Sequence, residues 1–446
     1  MSEQAVTFDF RDDAPCGADR VRWGKDVHLD GHPLMDRLAR LLPAPAADLM
    51  EIATAVYAAD RLAARDHGDA YQLGWSRRLR LHVPVRQPDR WERLRESLAE
   101  LLSWLTDDEW DLHFHSSGQA CSPLGNAQGY LFPAVPPQAH VALFSGGLDS
   151  AAGLAIDLAT RPTVDVIAVR VVTNGRMAHG QETVLGYFGE RVHDCPFQVH
   201  LASGRSRESS QRTRGFLFLS AGVATALTAR KSVLRVYENG IGAVNLPLVE
   251  SQRGSQAPHA VHPRTLVMME KLATSLNGGS CFRIELPHLW STKAELLRQA
   301  PQTMVGAYTS SMSCDHAFAS RIQGALQCGT CTSCILRRQS VLASGLSQLD
   351  ARRTYRRDLS SMPRRYTLDA SLWQAHRISR ALSSTDPWSA FVQEFPQVLD
   401  VPGVESESGR SAILRLYGQY CAEWRSLTAR LGVDMSKWGL EGAAAA

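Results

Sequence analysis

The apolar residues of the first 130 positions follow two different spacings. They recur at helical intervals in Leu49–Arg65 and Trp91–Leu105, and they alternate with polar residues in Arg77–Val85 and Trp110–His115. Helical intervals indicate amphipathic helices, whereas alternation indicates strands with one buried face. The pattern predicts an N-terminal α/β domain over residues 1–130 with a small core of its own.

A proline-bearing stretch at residues 131–140 predicts a linker, and the pattern changes beyond it. Short apolar runs now alternate with helical segments, which is typical of a doubly wound parallel sheet. Ligands bind such sheets at the carboxyl ends of the strands. We therefore assign residues 141–345 to an α/β catalytic domain. Its predicted strands are Val141–Phe144, Val164–Val172, Phe197–Leu201, Val233–Tyr237 and Phe282–Leu286, and its predicted helices include Ala151–Ala159 and Gly215–Ala229.

Residues 346–446 begin with a basic run and continue with helical periodicity. Charge runs are usually a solvated face or a linker, and binding to an acidic partner is the alternative. The tryptophans that follow are most simply explained as core anchors of a helical C-terminal region. The arginines are Arg352, Arg353, Arg356, Arg357, Arg364 and Arg365, and the tryptophans are Trp373, Trp388, Trp424 and Trp438.

Composition narrows the function classes. The 446 residues are 44% hydrophobic and 21% charged, with a net charge of +3. This is an ordinary globular balance that gives no support for a nucleic-acid partner. No apolar run approaches the ~20 residues needed to cross a bilayer, and the polar, acidic first residues do not fit a secretory signal. Four of the nine cysteines are clustered, which is typical of a metal site in a reducing compartment. We therefore expect a cytoplasmic protein.

A Ser/Gly-rich loop, SGGLDS, stands between a predicted strand and a predicted helix at residues 145–150. Such a turn points backbone N–H groups outward at the positive end of a helix, which makes an anion site. The GxxxxGK[ST] spacing of a Walker loop is absent. An inert Ser/Gly turn is the alternative. The predicted phosphate ligands are the backbone at Gly146 and Gly147 and the hydroxyls of Ser145 and Ser150, with the Asp149 carboxylate holding Mg²⁺.

The order SGGxDS resembles the loop of the ATP pyrophosphatase (PP-loop) superfamily. The resemblance implies that ATP is split between its α and β phosphates and that AMP passes to a substrate oxygen. Arg212 and Arg214 could reach the triphosphate as forked donors. Lys293 follows Thr292, which predicts a capping box with Glu295, and a cation at a helix N-terminus suggests an anionic ligand. An ordinary surface position is the alternative for each cation. The predicted catalytic residues are Asp149, Arg214 and Lys293.

Four cysteines, Cys314, Cys328, Cys331 and Cys334, have the spacing of a metal knuckle. Four thiolates in a closed tetrahedron make a structural zinc site. An iron–sulfur cluster is the alternative, but no redox cofactor motif accompanies it. The other five cysteines are isolated, as small buried residues often are. They are Cys16, Cys121, Cys195, Cys281 and Cys421.

Together, the loop, the TRGF segment at Thr213–Phe216, the STKAE segment around Lys293 and the SMSC…CGTCTSCILRR run resemble the 7-cyano-7-deazaguanine synthase family over residues 140–345. The resemblance implies that ATP adenylates 7-carboxy-7-deazaguanine and that ammonia displaces AMP to give an amide. A second ATP then dehydrates the amide to a nitrile. The implied cofactors are ATP, Mg²⁺ and Zn²⁺.

The chain departs from that family in three ways. It has additional residues on both sides, a longer gap between Cys314 and Cys328, and a different sequence after Glu238-Asn239-Gly240. The activating half therefore looks retained and the acceptor half altered. A guanine-like ring presents N–H donors that a carboxylate could accept. The predicted substrate residues are Glu238, Asn239, Asn245, Arg253, His259 and His262, with structural roles as the alternative for the two histidines.

Longer chains of this type resemble synthase-like proteins of bacterial anti-phage defence operons. That resemblance implies amide formation with a partner protein's N-terminal amine. We expect the flanking regions to serve such an acceptor through the arginine run and aromatic anchors, with a larger core or a homodimer as the alternative. Three other functions stay open: a synthase that makes the free nitrile, an RNA thiolation enzyme and a non-catalytic ATP-binding module. The proposed anchors are Trp75, Trp91 and Trp110.

Overall fold

The fold is taken from a computed structural model of the whole chain. It describes residues 5–11, 19–65, 76–117, 135–202, 204, 206–249, 258–315, 327–350, 355–357 and 366–431. The strands are β1 (Val6–Asp9), β2 (Asp19–Arg20), β3 (Val27–Asp30), β4 (Arg78–Val85), β5 (Glu109–Ser116), β6 (His140–Leu143), β7 (Val166–Val172), β8 (Val192–Leu201), β9 (Val233–Val236) and β10 (Arg283–Glu285).

Helices separate most of these strands. They are α1 (His32–Leu38), α2 (Ala44–Leu62), α3 (Pro88–Thr106), α4 (Leu148–Thr160), α5 (Gly175–Leu185), α6 (Arg214–Thr228), α7 (Gly240–Val244), α8 (Pro263–Leu276), α9 (Lys293–Gln299), α10 (Val305–Ser310), α11 (Thr332–Ala343), α12 (Tyr366–Leu382), α13 (Pro387–Glu394) and α14 (Glu407–Leu431). Among the described helices, none is both long and apolar enough to cross a membrane.

The larger sheet has six strands in the order β10-β9-β6-β7-β8-β3. Its first five strands are parallel, and β3 is antiparallel to β8. Successive side chains of a strand point to opposite faces. Accordingly, Val141 and Leu143 belong to the same apolar cluster as α6 and α8, and Ala142 belongs to the cluster of α4 and α9. The predicted doubly wound parallel sheet, buried on both faces, is confirmed.

The N-terminal region forms a second, four-stranded parallel sheet in the order β2-β1-β4-β5. Helix α2 lies between this sheet and α6, and 16 of its 19 residues are buried. A helix that is apolar all round is buried on every side. The apolar core is therefore continuous from the first sheet to the second, and β3 crosses into the second sheet. The separate small core expected for residues 1–130 is a prediction that the packing contradicts.

The C-terminal helices α12, α13 and α14 form an apolar cluster that also takes in Ile241 of α7 and Ile335 of α11. Trp424 is buried in this cluster as predicted, whereas Trp373 is 44% exposed. Trp91 and Trp110 are core residues, so they cannot anchor a partner as we expected. Trp75 and Trp438 lie outside the described residues.

Candidate active site

Three adjacent strands deliver the candidate site at their carboxyl ends. Strand β6 leads into the SGGLDS loop, β9 leads into Tyr237-Glu238-Asn239, and β10 leads into the segment that ends at Lys293. Because the sheet order is β10-β9-β6, these connections emerge side by side. This is the position at which doubly wound sheets bind their ligands.

The loop has the tight geometry of an anion cradle. Gly146 has φ +76°, which favours glycine, and a side chain there would begin 2.9 Å from Gln181 Cγ. The hydroxyls of Ser145 and Ser150 lie 3.2 Å apart. Ser145 Oγ accepts a hydrogen bond from the Gly147 N–H at 3.2 Å. Helix α4 starts directly after the loop, so its unpaired N–H groups and positive end face the same space.

The loop is fastened to the segment that carries the first cysteine of the cluster. The Met312 N–H donates to Gly146 O at 3.0 Å, and the Leu148 N–H lies 3.4 Å from Ser313 Oγ. Cys314 is the next residue along the chain. The shape of the SGGLDS loop is therefore linked to the segment that carries Cys314 through one backbone–backbone contact and one contact to a serine hydroxyl.

Asp149 is the centre of the charged network at this end of the sheet. Lys293 Nζ lies 2.5 Å from Asp149 Oδ2, and Asn239 Nδ2 donates to Asp149 Oδ1 at 3.1 Å. The side chains of Asp149 and Lys293 are only 10% and 6% exposed. In a buried pair of opposite charges each offsets part of the desolvation cost of the other, so removing one would leave an uncompensated buried charge. Residues from β6, β9 and β10 thus meet at one carboxylate.

Glu238 adds a second acid to the network. Its Oε1 accepts from Asn239 Nδ2 at 2.7 Å and from the Asn239 N–H at 3.2 Å. Burial, and then the nearby Asp149 charge, raise the pKa of Glu238 to about 8. Gly242 makes room for it, since a side chain there would begin 2.4 Å from Glu238 Oε1. Glu238 is therefore a partly buried carboxyl group whose pKa lies near physiological pH.

The predicted capping box places Lys293 at the first turn of α9. Thr292 Oγ1 accepts from the Glu295 N–H, and the Glu295 carboxylate accepts from the Thr292 N–H. Thr292 Oγ1 also donates to Glu423 Oε1 of α14 at 2.6 Å. A lysine at this end of a helix is electrostatically unfavourable on its own. Asp149 supplies the compensating charge in this structure.

The two arginines before α6 have different surroundings. Arg214 Nη2 lies 3.6 Å from Met177 Sδ, and Met177 is one helical turn from Gln181, which donates to Ser145 O at 3.3 Å. Burial lowers the pKa of Arg214 to about 10. Arg214 thus lies on the loop side of α5.

Arg212 lies instead among charged groups of the N-terminal region. Burial and then the neighbouring Arg65 guanidinium lower the pKa of Arg212 to about 10, while Asp60, Asp107 and Asp108 act in the opposite direction. A contact between Arg212 and the ATP triphosphate stays a prediction.

The predicted substrate residues divide into two groups. Glu238 and Asn239 contact the Asp149 network, whereas His259 and His262 pack with Trp104 of α3. The His259 and Trp104 rings stack at 4.2 Å, and His262 accepts from the Arg264 N–H at the start of α8. Burial lowers the pKa of His262 to about 3, so this ring is neutral.

The other two predicted substrate residues are placed less directly. Asn245 ends α7 in a left-handed conformation and donates to Pro258 O at 2.9 Å. Arg253 lies outside the described residues.

Sequence reasoning missed His288 and Gln181. His288 is buried just after β10, and its ring lies 6.4 Å from that of Tyr237. Burial lowers the pKa of His288, and the Asp149 charge opposes this shift. Its position just beyond a parallel strand could have identified it. No comparable feature of the sequence identifies Gln181 of α5 as a site residue.

His288 and Tyr237 also line a cavity of about 580 Å³ between α4 and α8. Three polar groups of this cavity are paired with one another. Asp157 accepts from Arg235 Nη1 and from Tyr237 Oη, each at 2.6 Å.

The four cysteines form a compact group. Their sulfur atoms all lie within 4.8 Å of one another, with Cys328–Cys334 at 3.8 Å and Cys314–Cys331 at 4.0 Å. Zinc–sulfur bonds of about 2.3 Å place tetrahedral sulfurs about 3.8 Å apart. The donor set and the spacing therefore fit a closed zinc site, which the four thiolates would hold as a structural centre.

Backbone groups support the same interpretation. The Cys331 and Thr330 N–H groups point at Cys328 Sγ from 3.3 and 3.4 Å. Gly329, at φ +82°, makes the turn between these ligands. N–H donors stabilise thiolates, the form that binds metal.

The cluster is joined to the rest of the fold by a buried arginine. Arg337 of α11 donates to Ser311 Oγ at 2.8 Å, to Tyr308 O at 3.0 Å and to Asp350 Oδ1 at 3.1 Å. Of the basic run, Arg356 and Arg357 are described, and both contact this part of the fold through their backbones. The remaining arginines of the run lie outside the described residues. They are Arg352, Arg353, Arg364 and Arg365.

The fold and the site define a doubly wound α/β protein with a glycine-rich strand–helix loop and a four-cysteine cluster. Residues 259–345 match the family model described as Queuosine biosynthesis protein QueC. The match includes Lys293 and all four cysteines, and it ends with α11 and the residues just after it. A comparison of the chain with curated proteins gives no match.

Proposed function

We propose that this chain is an ATP-dependent ligase that adenylates the carboxylate of a 7-deazaguanine and transfers the acyl group to an amine. The observation that carries the proposal is the position of Asp149. It stands at the end of the SGGLDS anion loop and binds Lys293, which lies in the segment that matches the QueC family. A loop for phosphates, a carboxylate for Mg²⁺ and a cation are the parts that nucleotidyl transfer requires.

The reaction has two steps. A substrate carboxylate oxygen attacks the α phosphorus of ATP, and pyrophosphate leaves. The amine then attacks the acyl carbon, AMP leaves, and the amine loses a proton. In this scheme Ser145, Gly147 and Ser150 bind the pyrophosphate, Asp149 holds Mg²⁺, and Lys293 neutralises phosphate charge. Arg214 lies on the loop side of α5, where it would help Lys293 to neutralise the phosphate charge.

The guanine-like ring is assigned to Glu238 and Asn239. Both follow β9, and the Asn239 amide donates to Asp149 and to Glu238, so a ring bound there would hold its carboxylate near the phosphate loop. An ionised Glu238 could accept the two N–H groups of the ring edge. Asn245, Arg253, His259 and His262 remain predicted members of this pocket.

The proposed acceptor is the N-terminal amine of a partner protein, in an anti-phage system. The support is the N-terminal and C-terminal regions that flank the catalytic sheet, because an enzyme that uses ammonia as its acceptor would not need them. The alternative is synthesis of the free nitrile from ammonia, for which the QueC match is the support.

The nucleotide products test the activation step. We expect ATP to give AMP and pyrophosphate, and Asp149→Asn to lower the rate by at least about a hundredfold, because it removes the charge that holds Mg²⁺. Asp165→Asn is a matched control. Asp165 stands just before β7, at the amino ends of the strands and away from the site, and pairs with His193. ADP as the main product would exclude the proposal.

The acceptor is tested separately. ATP, Mg²⁺ and 7-carboxy-7-deazaguanine are supplied with ammonia or with a protein encoded beside this one, and intact masses are measured. We expect a mass gain on the partner protein that acetylation of its N-terminal amine prevents. Efficient formation of the free nitrile, with no mass gain on the partner, would favour the synthase alternative.

A further inference from the structure

Three histidines come together on the exposed face of the N-terminal sheet. Strands β4 and β5 are parallel, with His82 opposite His113 and Pro84 opposite His115. His113 and His115 are two residues apart, so their side chains leave the same face of β5. The register therefore places three imidazoles at neighbouring positions, far from the cysteine cluster in sequence.

The ring nitrogens already approach one another. His82 Nδ1 lies 3.0 Å from His115 Nε2, so one nitrogen donates a proton to the lone pair of the other. The His113 ring stacks on the His82 ring at 4.6 Å with an angle of 12°. Zinc–nitrogen bonds of about 2.0–2.1 Å would place two tetrahedral ligands about 3.3 Å apart. A small opening of the His82–His115 pair would thus admit an ion in place of the shared proton.

Two carboxylates, Asp111 and Asp9, lie near the histidines. Asp111 Oδ1 lies 2.9 Å from His113 Nε2, which leaves Nδ1 of that ring for another partner. Asp9 lies opposite His82 in the β1–β4 register and is fixed by Arg11 at 2.6 Å. Metal-binding histidines commonly give their second ring nitrogen to a carboxylate, which orients the ring.

Among the described residues, the histidine face of the sheet is partly exposed. The His113 side chain is 37% exposed and Asp111 is 41% exposed, whereas Leu79 and Leu81 point to the opposite face and are fully buried. Helices α2 and α3 pack against β4 and β5, where the apolar core lies on the Leu79–Leu81 side. An ion from solution could reach the histidines without any unfolding.

We propose that His82, His113 and His115 bind a divalent transition metal ion of the zinc class. The site is distinct from the four cysteines and leaves one coordination position for water or Asp111. His113 completes it by turning about its side-chain torsions, because its ring now lies parallel to that of His82. Neutral imidazoles suit zinc, nickel and copper, and an exposed three-nitrogen site exchanges its ion more readily than a closed four-thiolate site.

Cobalt titration of the zinc-loaded protein tests this. The cysteine centre keeps its zinc, so added Co²⁺ reports on other sites. We expect one further equivalent of Co²⁺ by calorimetry, with weak visible bands that lack the sulfur charge-transfer absorption of a thiolate site. His115→Gln and His113→Gln should each remove this equivalent. His376→Gln should retain it, because that histidine lies on α12 beside Trp373.

Two results would overturn the proposal. One is the absence of a further equivalent at several-fold molar excess of Co²⁺ over protein. The other is a further equivalent that survives in both His115→Gln and His113→Gln, since the ion would then bind elsewhere. His113 is on the surface, so His113→Gln should fold even if His115→Gln does not, and circular dichroism checks each variant.

Discussion

Thr213, the residue before α6, donates its Oγ1 hydrogen to Asp60 Oδ2 of α2 at 2.9 Å, and its N–H donates to the same oxygen at 3.1 Å. Asp60 is held in turn by Arg77 Nη2 at 2.6 Å, and all three residues are buried. The N-terminal region therefore fixes the backbone just before Arg214. A segment that lies outside the catalytic sheet positions a residue proposed to act in it.

This relationship predicts a defect in ATP binding from a neutral, isosteric change. Thr213→Val removes one hydrogen bond, so we expect a loss of about 1 kcal/mol in the free energy of unfolding and a several-fold higher KM for ATP. Thr225→Val is the matched control, because Thr225 is buried in the same helix and donates only to Ala221 O. It should lose similar stability without a change in KM. Equal KM values for the two variants would refute a positioning role.

The C-terminal region makes a comparable contact through Glu423 of α14. Its carboxylate accepts from Thr292 Oγ1 at 2.6 Å and from Gln339 Nε2 at 3.1 Å. Glu423→Ala would leave these donors buried without their acceptor, so we expect unfolding free energy to fall by about 3 kcal/mol. ATP cleavage should slow as well, because Thr292 begins the helix that presents Lys293.

Glu394→Ala is the control for Glu423→Ala. Glu394 pairs with Arg377 and Arg380 within the C-terminal helices and is partly exposed. Exposed pairs contribute about 0–1 kcal/mol. Normal ATP cleavage by folded Glu423→Ala protein would contradict a link between α14 and the site.

Glu238 should make substrate binding depend on pH. Because its pKa is raised to about 8, the carboxyl group is largely protonated at pH 7 in the free protein. Pairing with two N–H donors requires the ionised form. We expect the KM for 7-carboxy-7-deazaguanine to fall as the pH rises from 7 to about 8.5, with proton release on binding in calorimetry. Glu238→Gln should bind weakly with little pH dependence, and a Glu238→Gln profile identical to wild type would contradict this.

The same group affects stability in a defined direction. The folded pKa of Glu238 lies above its ordinary value of 4.5, so the folded state holds a proton that the unfolded state has lost between those pH values. The stabilisation is full below pH 4.5 and is lost as the pH rises toward about 8. Urea unfolding of Glu238→Gln should therefore show a smaller decrease in stability across this window than wild type. An equal decrease in both would assign the slope to other groups.

Metal content tests the cysteine centre. We expect one zinc per chain from the four cysteines and loss of that zinc in Cys331→Ser, with lower solubility because metal binding and local folding are coupled. Cys421→Ser should retain it, since Cys421 is buried among the C-terminal helices.

Gly329→Ala should also weaken metal retention. Gly329 has φ +82°, and a side chain there would begin 2.6 Å from Arg357 O. Carefully purified wild-type protein without stoichiometric zinc would end the assignment of zinc to the four cysteines.

Local sequence determined much of this protein. The strands and helices around the SGGLDS loop were predicted within a few residues, because β-branched runs, the glycine pair and the Thr292–Glu295 capping box act through neighbours in the chain. The four cysteines were recognised by spacing alone, and their sulfurs do converge. These features depend on contacts between residues that are close in sequence.

Tertiary structure decided the contacts between distant segments. The sequence alone does not show that Asp149 meets Lys293 and Asn239, since strand order brings their loops together. It also does not show that His259 stacks on Trp104 of α3, a residue 155 positions earlier in the chain. The separate N-terminal core was predicted wrongly for the same reason: α2 is buried on every side, and periodicity cannot tell which two surfaces a fully buried helix will contact.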